Sequence, residues 1–324
     1  MSEPVIVLEN LSKRFGEVPA VQDLSFSITP GTIFGFLGAN GAGKTTTIRM
    51  LCGLTHPTGG RAKIDNHDVW KDRQTVRTKF GYVAQRFSLY PDLTVDENLR
   101  FFGGACRVPL AELDGRIARL LALTDLQEKK SASAGSLSGG MRQLLALGCA
   151  LVHEPPLLFL DEPTSGLDPV HRQQIWNLLY DLSNTGKTIF VTTHYMDEAE
   201  RCTEVGFIES GRLLAKAPPR KLKESFRARL LELHLDPLMP ALVRLRNLPE
   251  VLGVSLRSGA LRIYSAKAEE LMARWKKSWP FPDLTLRSER WVEPDMEDVF
   301  TAYSQGYDAL LITPTAVTSE GSTI

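Results

Sequence analysis

Residues 38–45 read Gly-Ala-Asn-Gly-Ala-Gly-Lys-Thr, the pattern GxxxxGK[ST], directly after the apolar run 32–37 (TIFGFL) and before a helical stretch reaching about Cys52. Nothing else in the chain constrains it as much. The run is short and continuous, as expected of a buried strand. The glycines let consecutive backbone N–H groups turn inward around phosphate oxygens, and the helix N-terminus adds its partial positive charge. The pattern therefore makes Gly38, Asn40, Gly41, Ala42, Gly43, Lys44, Thr45 and Thr46 candidate nucleotide contacts. Lys44 is expected to reach the β- and γ-phosphates and Thr45 to hold Mg²⁺. A chance glycine-rich turn is the bland alternative, and the strand–loop–helix setting weighs against it.

The rest of the chain supplies a sheet for that strand. Strands are predicted at 5–8, 21–28, 80–84 (FGYVA), 157–160 (LLFL), 187–192 (KTIFVT), 204–209 and 212–217. Helices are predicted from about 94 to 150, with apolar spacing of three and four, and from about 169 to 183. Short apolar strands alternating with helices predict an α/β fold with a largely parallel, doubly covered sheet. A helical subdomain at about 90–152 interrupts it. Pro218-Pro219 marks a boundary. Beyond it the order is strand 229–235, helix 237–246, strands 250–256 and 260–265, helix 267–277 and strand 284–289. That β-α-β-β-α-β order predicts a small α+β domain of ferredoxin-like type over 218–305, closed by a helix at about 294–303. Residues 306–324 are rich in Thr, Ser and Gly, without Lys or Arg, and are expected to be a disordered tail.

Leu157-Leu-Phe-Leu160-Asp161-Glu162 is a buried strand ending in two acids. A carboxylate buried there needs a partner. For Asp161 the simplest is the Mg²⁺ held by the phosphate loop. Glu162, just outside the strand, is placed to polarise an attacking water. An acidic cap of the next element explains either acid alone but not the pair.

Loop and acids together imply a nucleotide hydrolase. Leu137-Ser138-Gly139-Gly140-Met141-Arg142-Gln143 then opens a long helix, and Ser138, Gly139 and Gly140 make a second anion-binding nest. One site needs one phosphate loop, so a second nest suggests a second nucleotide bound across a dimer interface. At these residues the chain closely resembles the nucleotide-binding subunits of ABC transporters, whose signature LSGGQ precedes the paired acids. Met141 stands where that family usually has Gln, a variation that looks like the subgroup serving ABC-2 type exporters, such as those of the daunorubicin-resistance type. The resemblance covers about residues 5–217 and implies a P-loop ABC cassette with an antiparallel β part. It further implies that the signature contacts the γ-phosphate held by the opposite subunit. Phe15 in LSKRFG matches the aromatic that stacks on adenine, although read alone it serves as well as a strand-end core residue. Gln85 in GYVAQRFSLYPDLTVDENL matches the glutamine that touches Mg²⁺ and the attacking water. Ser165-Gly166-Leu167-Asp168 matches the loop that crosses to the opposite subunit, and His194 the histidine that hydrogen-bonds the γ-phosphate. The implied cofactors are ATP and Mg²⁺. The implied partners are a homologous cassette, as homodimer or heterodimer, and an integral-membrane permease of ABC-2 type. The implied place is the cytoplasmic face of the membrane.

Bulk properties fit this reading. The 324 residues suit two domains, and 43% hydrophobic content supplies a full core. Lys+Arg equals Asp+Glu at 38 each, which gives no general reason to expect nucleic acid as partner. Cys52, Cys106, Cys149 and Cys202 lie far apart without a CxxC pair, so buried reduced thiols are expected rather than a zinc site or disulfides. No run approaches the roughly 18 apolar residues of a spanning helix, and MSEPVIVLEN lacks a signal-peptide pattern. The membrane part of any transport process is thus expected on another polypeptide. A soluble ABC-family ATPase of translation or DNA repair is the alternative. Such proteins usually carry two cassettes, long coiled coils or zinc motifs, all missing from this sequence.

Overall fold

A computed structural model describes residues 3–85, 89–227 and 229–312. It divides into two units, Met1–Pro218 and Pro219–Ile324. Within the described residues the first unit runs β1 (Ile6–Phe15), β2 (Val18–Ile28), β3 (Ile33–Leu37), α1 (Lys44–Leu51), β4 (Gly59–Ile64), β5 (His67–Asp68), α2 (Arg73–Arg77) and β6 (Phe80–Val83). It continues with α3 (Val95–Ala105), α4 (Leu110–Leu123), α5 (Gly139–Leu151), β7 (Leu157–Asp161), α6 (Pro169–Asn184), β8 (Thr188–Thr193), α7 (Met196–Ala199), β9 (Glu204–Glu209) and β10 (Arg212–Ala217).

The main sheet has the order β10-β9-β3-β8-β7-β6. Its neighbours are parallel from β9 to β6, and β10 adds antiparallel to β9. Every residue of β3, β7 and β8 is buried, as covered parallel strands require. On one face Phe34, Phe36, Phe159 and Phe190 pack with ring centroids 5.2–5.7 Å from Phe190. A second, antiparallel sheet of order β2-β1-β4-β5 joins that core through Ile6, Leu8, Leu24 and Ile28.

Several elements differ from the sequence reading. The first strand extends to Phe15 through polar residues, because β1 is paired on both sides, by β2 and by β4. β4, β5, α2 and α7 were not expected. β4 begins with two glycines and buries only Ala62 and Ile64, so it carries little periodic signal and relies on its pairing with β1. The helical stretch is three helices with 3-10 turns at Gln127–Lys129 and Ala134–Ser136. The first of them, α3, opens on a capping box in which Thr94 Oγ1 accepts from Glu97 N (3.2 Å) and Glu97 accepts from Thr94 N (2.8 Å). The buried-thiol expectation fails at one position: Cys106 is exposed, while Cys52, Cys149 and Cys202 are buried.

The second unit contains α8 (Pro219–Glu224), β11 (Leu230–Asp236), α9 (Leu238–Arg246), β12 (Gly253–Arg257), β13 (Ala260–Tyr264), α10 (Ala268–Lys277), β14 (Thr285–Val292) and α11 (Met296–Gln305). Its sheet order is β12-β13-β11-β14, antiparallel throughout. That is the β-α-β-β-α-β connectivity of a split βαβ fold. Trp275 is buried in its core, and Trp279 Nε1 donates to Leu284 O at 2.8 Å. Neighbouring Lys276 pairs with Glu289, so this stretch is core plus a solvated face. The expected disordered tail begins too early. Asp308–Leu310 forms a 3-10 turn, Leu310 and Leu311 are buried, and Ile312 N donates to Ser225 O at 2.7 Å. Buried Leu310 and Leu311, with the backbone bond of Ile312, anchor the chain there, and residues 313–324 lie outside the described residues.

Candidate active site

Parallel register assembles the site. β3 sets Leu37 beside Thr193, β7 sets Asp161 beside Thr192, and β6 sets Val83 beside Leu160. The residues just past these carboxyl ends, Gly38, Gln85, Glu162 and His194, therefore emerge on one sheet edge, where open α/β folds hold ligands. α1 starts directly from the loop. Gly43, its N-cap, adopts φ 107°, and a Cβ there would sit 2.5 Å from Ala20 O, so only glycine fits. The first-turn N–H groups of this helix, among them those of Lys44, Thr45 and Thr46, have no intrahelical partner.

Lys44 and Glu162 are both buried, with side chains 4% and 7% exposed, and lie 3.2 Å apart (Nζ to Oε1). Lys44 Nζ also donates to Gly38 O (2.8 Å) and Ala39 O (3.1 Å). Gln85 Nε2 donates to Glu162 Oε2 at 3.2 Å. His194 Nδ1 lies 3.3 Å from the same oxygen but makes no hydrogen bond, which leaves it a buried polar atom without a partner. Glu162 has φ 50°, a left-handed conformation costing about 1–3 kcal/mol. Its N–H donates to Thr192 O (3.2 Å) and Thr192 Oγ1 (3.0 Å), which hold it there. Asp161 Oδ1 accepts from Thr45 Oγ1 (3.1 Å) and Thr192 Oγ1 (2.7 Å). Burial pushes the Asp161 carboxyl above its ordinary range, the two hydroxyls oppose this, and nearby Glu162 raises it further. Burial and then Asp161 push the Tyr82 hydroxyl up to about 12.

The structure thus brings Lys44, Thr45, Gln85, Asp161, Glu162 and His194 together. It does not join them to the signature residues. Among the described residues no hydrogen bond or ion pair links this cluster to Ser138, Gly139, Gly140 or Asp168. Ser138 and Gly139 are exposed, and Ser138 Oγ caps α5 by accepting from Met141 N at 3.2 Å. Asp168 caps α6, accepting from Val170 N (3.0 Å) and His171 N (3.1 Å), with His171 Nδ1 at 2.5 Å from its other oxygen. His171's backbone and ring hold the Asp168 carboxyl below its ordinary range. Phe15, 54% exposed, is no core residue, and Lys13 Nζ lies 5.0 Å from its ring centroid. Asn40 and Gly41 are exposed and Ala42 is buried.

Sequence reasoning missed Thr192, which serves both acids, and His171, whose ring fills the space a Cβ on Gly140 would need. It also missed Glu198, fully buried and bonded to Thr164 and Thr193. Thr192 could have been found from the strand reading, since it is the polar end of an apolar run. The other two depend on register and carry no local signal. Among the described residues no group of three or more His, Cys, Asp or Glu could form a metal centre, and no helix is long and apolar enough to cross a membrane.

The family profile described as "ABC transporter" matches residues 21–165. The chain is 43% identical over 221 residues to "Probable multidrug ABC transporter ATP-binding protein YbhF" of Escherichia coli (strain K12), covering 68% of this chain but 38% of that protein. It is 39% identical over 257 residues to "Nod factor export ATP-binding protein I" of Cupriavidus metallidurans, covering 78% of this chain and 85% of that one. Among solved structures, cbiO1 from Clostridium perfringens, part of the ABC transporter complex cbiONQ, superposes with a TM-score of 0.64 at 28% identity, covering 68% of this chain and 91% of that one. The ATP-binding cassette MJ0796, dimeric in a post-hydrolysis state with ADP and Pi, gives 0.60 at 28% identity, covering 66% and 98%.

Proposed function

Because the chain belongs to the ABC transporter ATP-binding family, we propose that it binds and hydrolyses ATP as one half of a two-site sandwich that drives transport through a separate membrane subunit. The observation that carries this is one carboxylate. Glu162 sits against Lys44, Gln85 and His194, within 3.2–3.3 Å of each, at the mouth of a phosphate loop. The residues fit the ligands. His194 Nδ1 is a buried group without a partner, and the raised Asp161 carboxyl is one that a divalent cation would stabilise.

Thr45, Asp161 and Gln85 would hold Mg²⁺, which when bound neutralises charge on the β- and γ-oxygens. Gly38, Asn40, Gly41, Ala42, Gly43 and Thr46 line the loop for the phosphates, and Phe15 offers an exposed ring to the base. Phosphate oxygens would replace Glu162 and the two carbonyls as acceptors for Lys44. Released from Lys44, Glu162 orients the attacking water and takes its proton. His194 donates to the terminal phosphate, and charge developing there is met by donors already in place. Ser138 and Gly139 are exposed, as the start of a nest meant for a nucleotide on another subunit should be, while Gly140 is buried behind them. Asp168 lies in the loop that follows the acids and would approach that subunit too.

The partner is a similar cassette together with an integral-membrane permease of ABC-2 type, at the cytoplasmic face of the membrane. Export is the favoured direction, in keeping with the multidrug and Nod factor export names of the relatives. The same names weigh against a role in translation or DNA repair. Replacing Glu162 by Gln keeps size and removes basicity. Phosphate release should slow by at least about 10²-fold while ATP still binds. Turnover at the wild-type rate would move the catalytic base elsewhere.

A further inference from the structure

Glu198 has no part in the chemistry above, yet it is 0% exposed and lies under both catalytic turns. Its Oε1 accepts from Thr164 Oγ1 at 2.6 Å and its Oε2 from Thr193 Oγ1 at 2.6 Å. Thr164 is two residues past Glu162, and Thr193 immediately precedes His194. Thr193 Oγ1 also accepts from Tyr195 N at 3.0 Å, so the chain is pinned on both sides of His194. α7 spans only Met196–Ala199, too short to fix itself.

We propose that Glu198 is a positioning residue for hydrolysis: its carboxyl group ties the turn carrying Glu162 to the turn carrying His194 and sets the spacing between them. This rests on the reading of Glu162 and His194 as the hydrolytic pair. A bland role as a core residue accounts for it poorly. A buried carboxyl is costly beside an apolar side chain of similar volume, unless both oxygens are used for something the apolar residue cannot do. Here both oxygens are used, and each holds a different catalytic turn. No basic side chain hydrogen-bonds it. Arg172 Nε stands 3.8 Å from Oε1, is itself buried without a hydrogen bond, and its guanidinium lies 4.4 Å from the Tyr195 ring centroid. Arg172 belongs to the helix that Asp168 caps, its N–H donating to Asp168 O at 3.0 Å. That helix therefore borders the same junction. Glu162 Oε2 and His194 Nδ1 are 3.3 Å apart, and misplacement of a catalytic group by about 1 Å can cost about 10²-fold in rate.

The test compares Glu198→Gln, Thr164→Val with Thr193→Val, and all three changes together, using full-length protein and Mg-ATP. An amide can accept one hydroxyl hydrogen bond through its oxygen, but its NH₂ end cannot accept the other. The turnover number is expected to fall about 10- to 100-fold in Glu198→Gln, with the ATP dissociation constant within about 2-fold of wild type. The paired threonine variant should match it, and the triple variant should be no slower than either, because one junction is being broken. If Glu198→Gln does not fold, the threonine variants carry the same split between turnover and binding. Unchanged turnover overturns the proposal. So does a parallel loss of turnover, ATP affinity and melting temperature, which is what a merely structural acid would give. Glu162→Gln run alongside separates the two claims. An active Glu162→Gln defeats the functional reading itself, whereas an inactive one beside a normal Glu198→Gln defeats only the role of Glu198.

Discussion

Asp161 shows at the scale of one residue what a site costs the fold that carries it. Its carboxyl is held above its ordinary range, first by burial and then by Glu162 beside it. A carboxyl raised on folding costs nothing at low pH, where both states are protonated. The cost grows as pH rises from the ordinary value through the folded one, and is full at neutral pH. Asp161→Asn should therefore stabilise the nucleotide-free protein, raising the melting temperature near pH 7, with the gap narrowing as pH falls. Mg-dependent hydrolysis should be lost. A lower melting temperature at neutral pH would mean that the hydroxyls of Thr45 and Thr192 outweigh burial. That Lys44, Asp161 and Glu162 would meet was legible, because each stands in a short motif directly after an apolar strand. Glu198, Thr164 and Thr193 were not. Each is an ordinary residue whose meaning arises only when β7 and β8 pair in register.

Among the elements, β3, β7 and β8 could be read directly, since all of their residues are buried and each is a short apolar run. β4 and β5 could not, because β4 depends on its pairing with β1, and β5 on its pairing with β4, rather than on their own composition. The contact of α5 with α6 is equally tertiary. An ideal Cβ on Gly140 would lie 2.1 Å from the His171 ring and 2.6 Å from its Cβ. Gly140→Ala must push the two helices apart or turn His171 away from Asp168, an overpacking cost of about 1–3 kcal/mol. Urea unfolding should register that loss, and His171→Ala added to Gly140→Ala should recover most of it. Equal stability of Gly140→Ala and wild type would show that His171 leaves this position freely. The loop and the signature nest were both recognisable as helix starts. Their separation within one chain was implied by reading the nest as serving a second nucleotide, and among the described residues no hydrogen bond or ion pair joins them.

At the scale of the molecule, one chain carries a phosphate loop with two acids and, apart from them, a signature nest whose Ser138 and Gly139 are exposed. On the proposed reading, two such chains would complete each other. The second unit, with its own core around Leu231, Leu233, Ile263 and Trp275, was legible in element order, while the anchoring of Leu310–Ile312 was hidden in a stretch of unremarkable composition. The most direct test of the sandwich is the mass of the Glu162→Gln protein by light scattering, with and without Mg-ATP. Loss of the acid should stop hydrolysis and leave ATP in place, so the protein is expected to run as a monomer alone and to accumulate as a dimer with ATP. Ser138→Arg in the same background should abolish that dimer while leaving ATP binding through Lys44 intact. A Glu162→Gln protein that binds ATP yet stays monomeric, or a dimer indifferent to Ser138→Arg, would contradict the two-site arrangement.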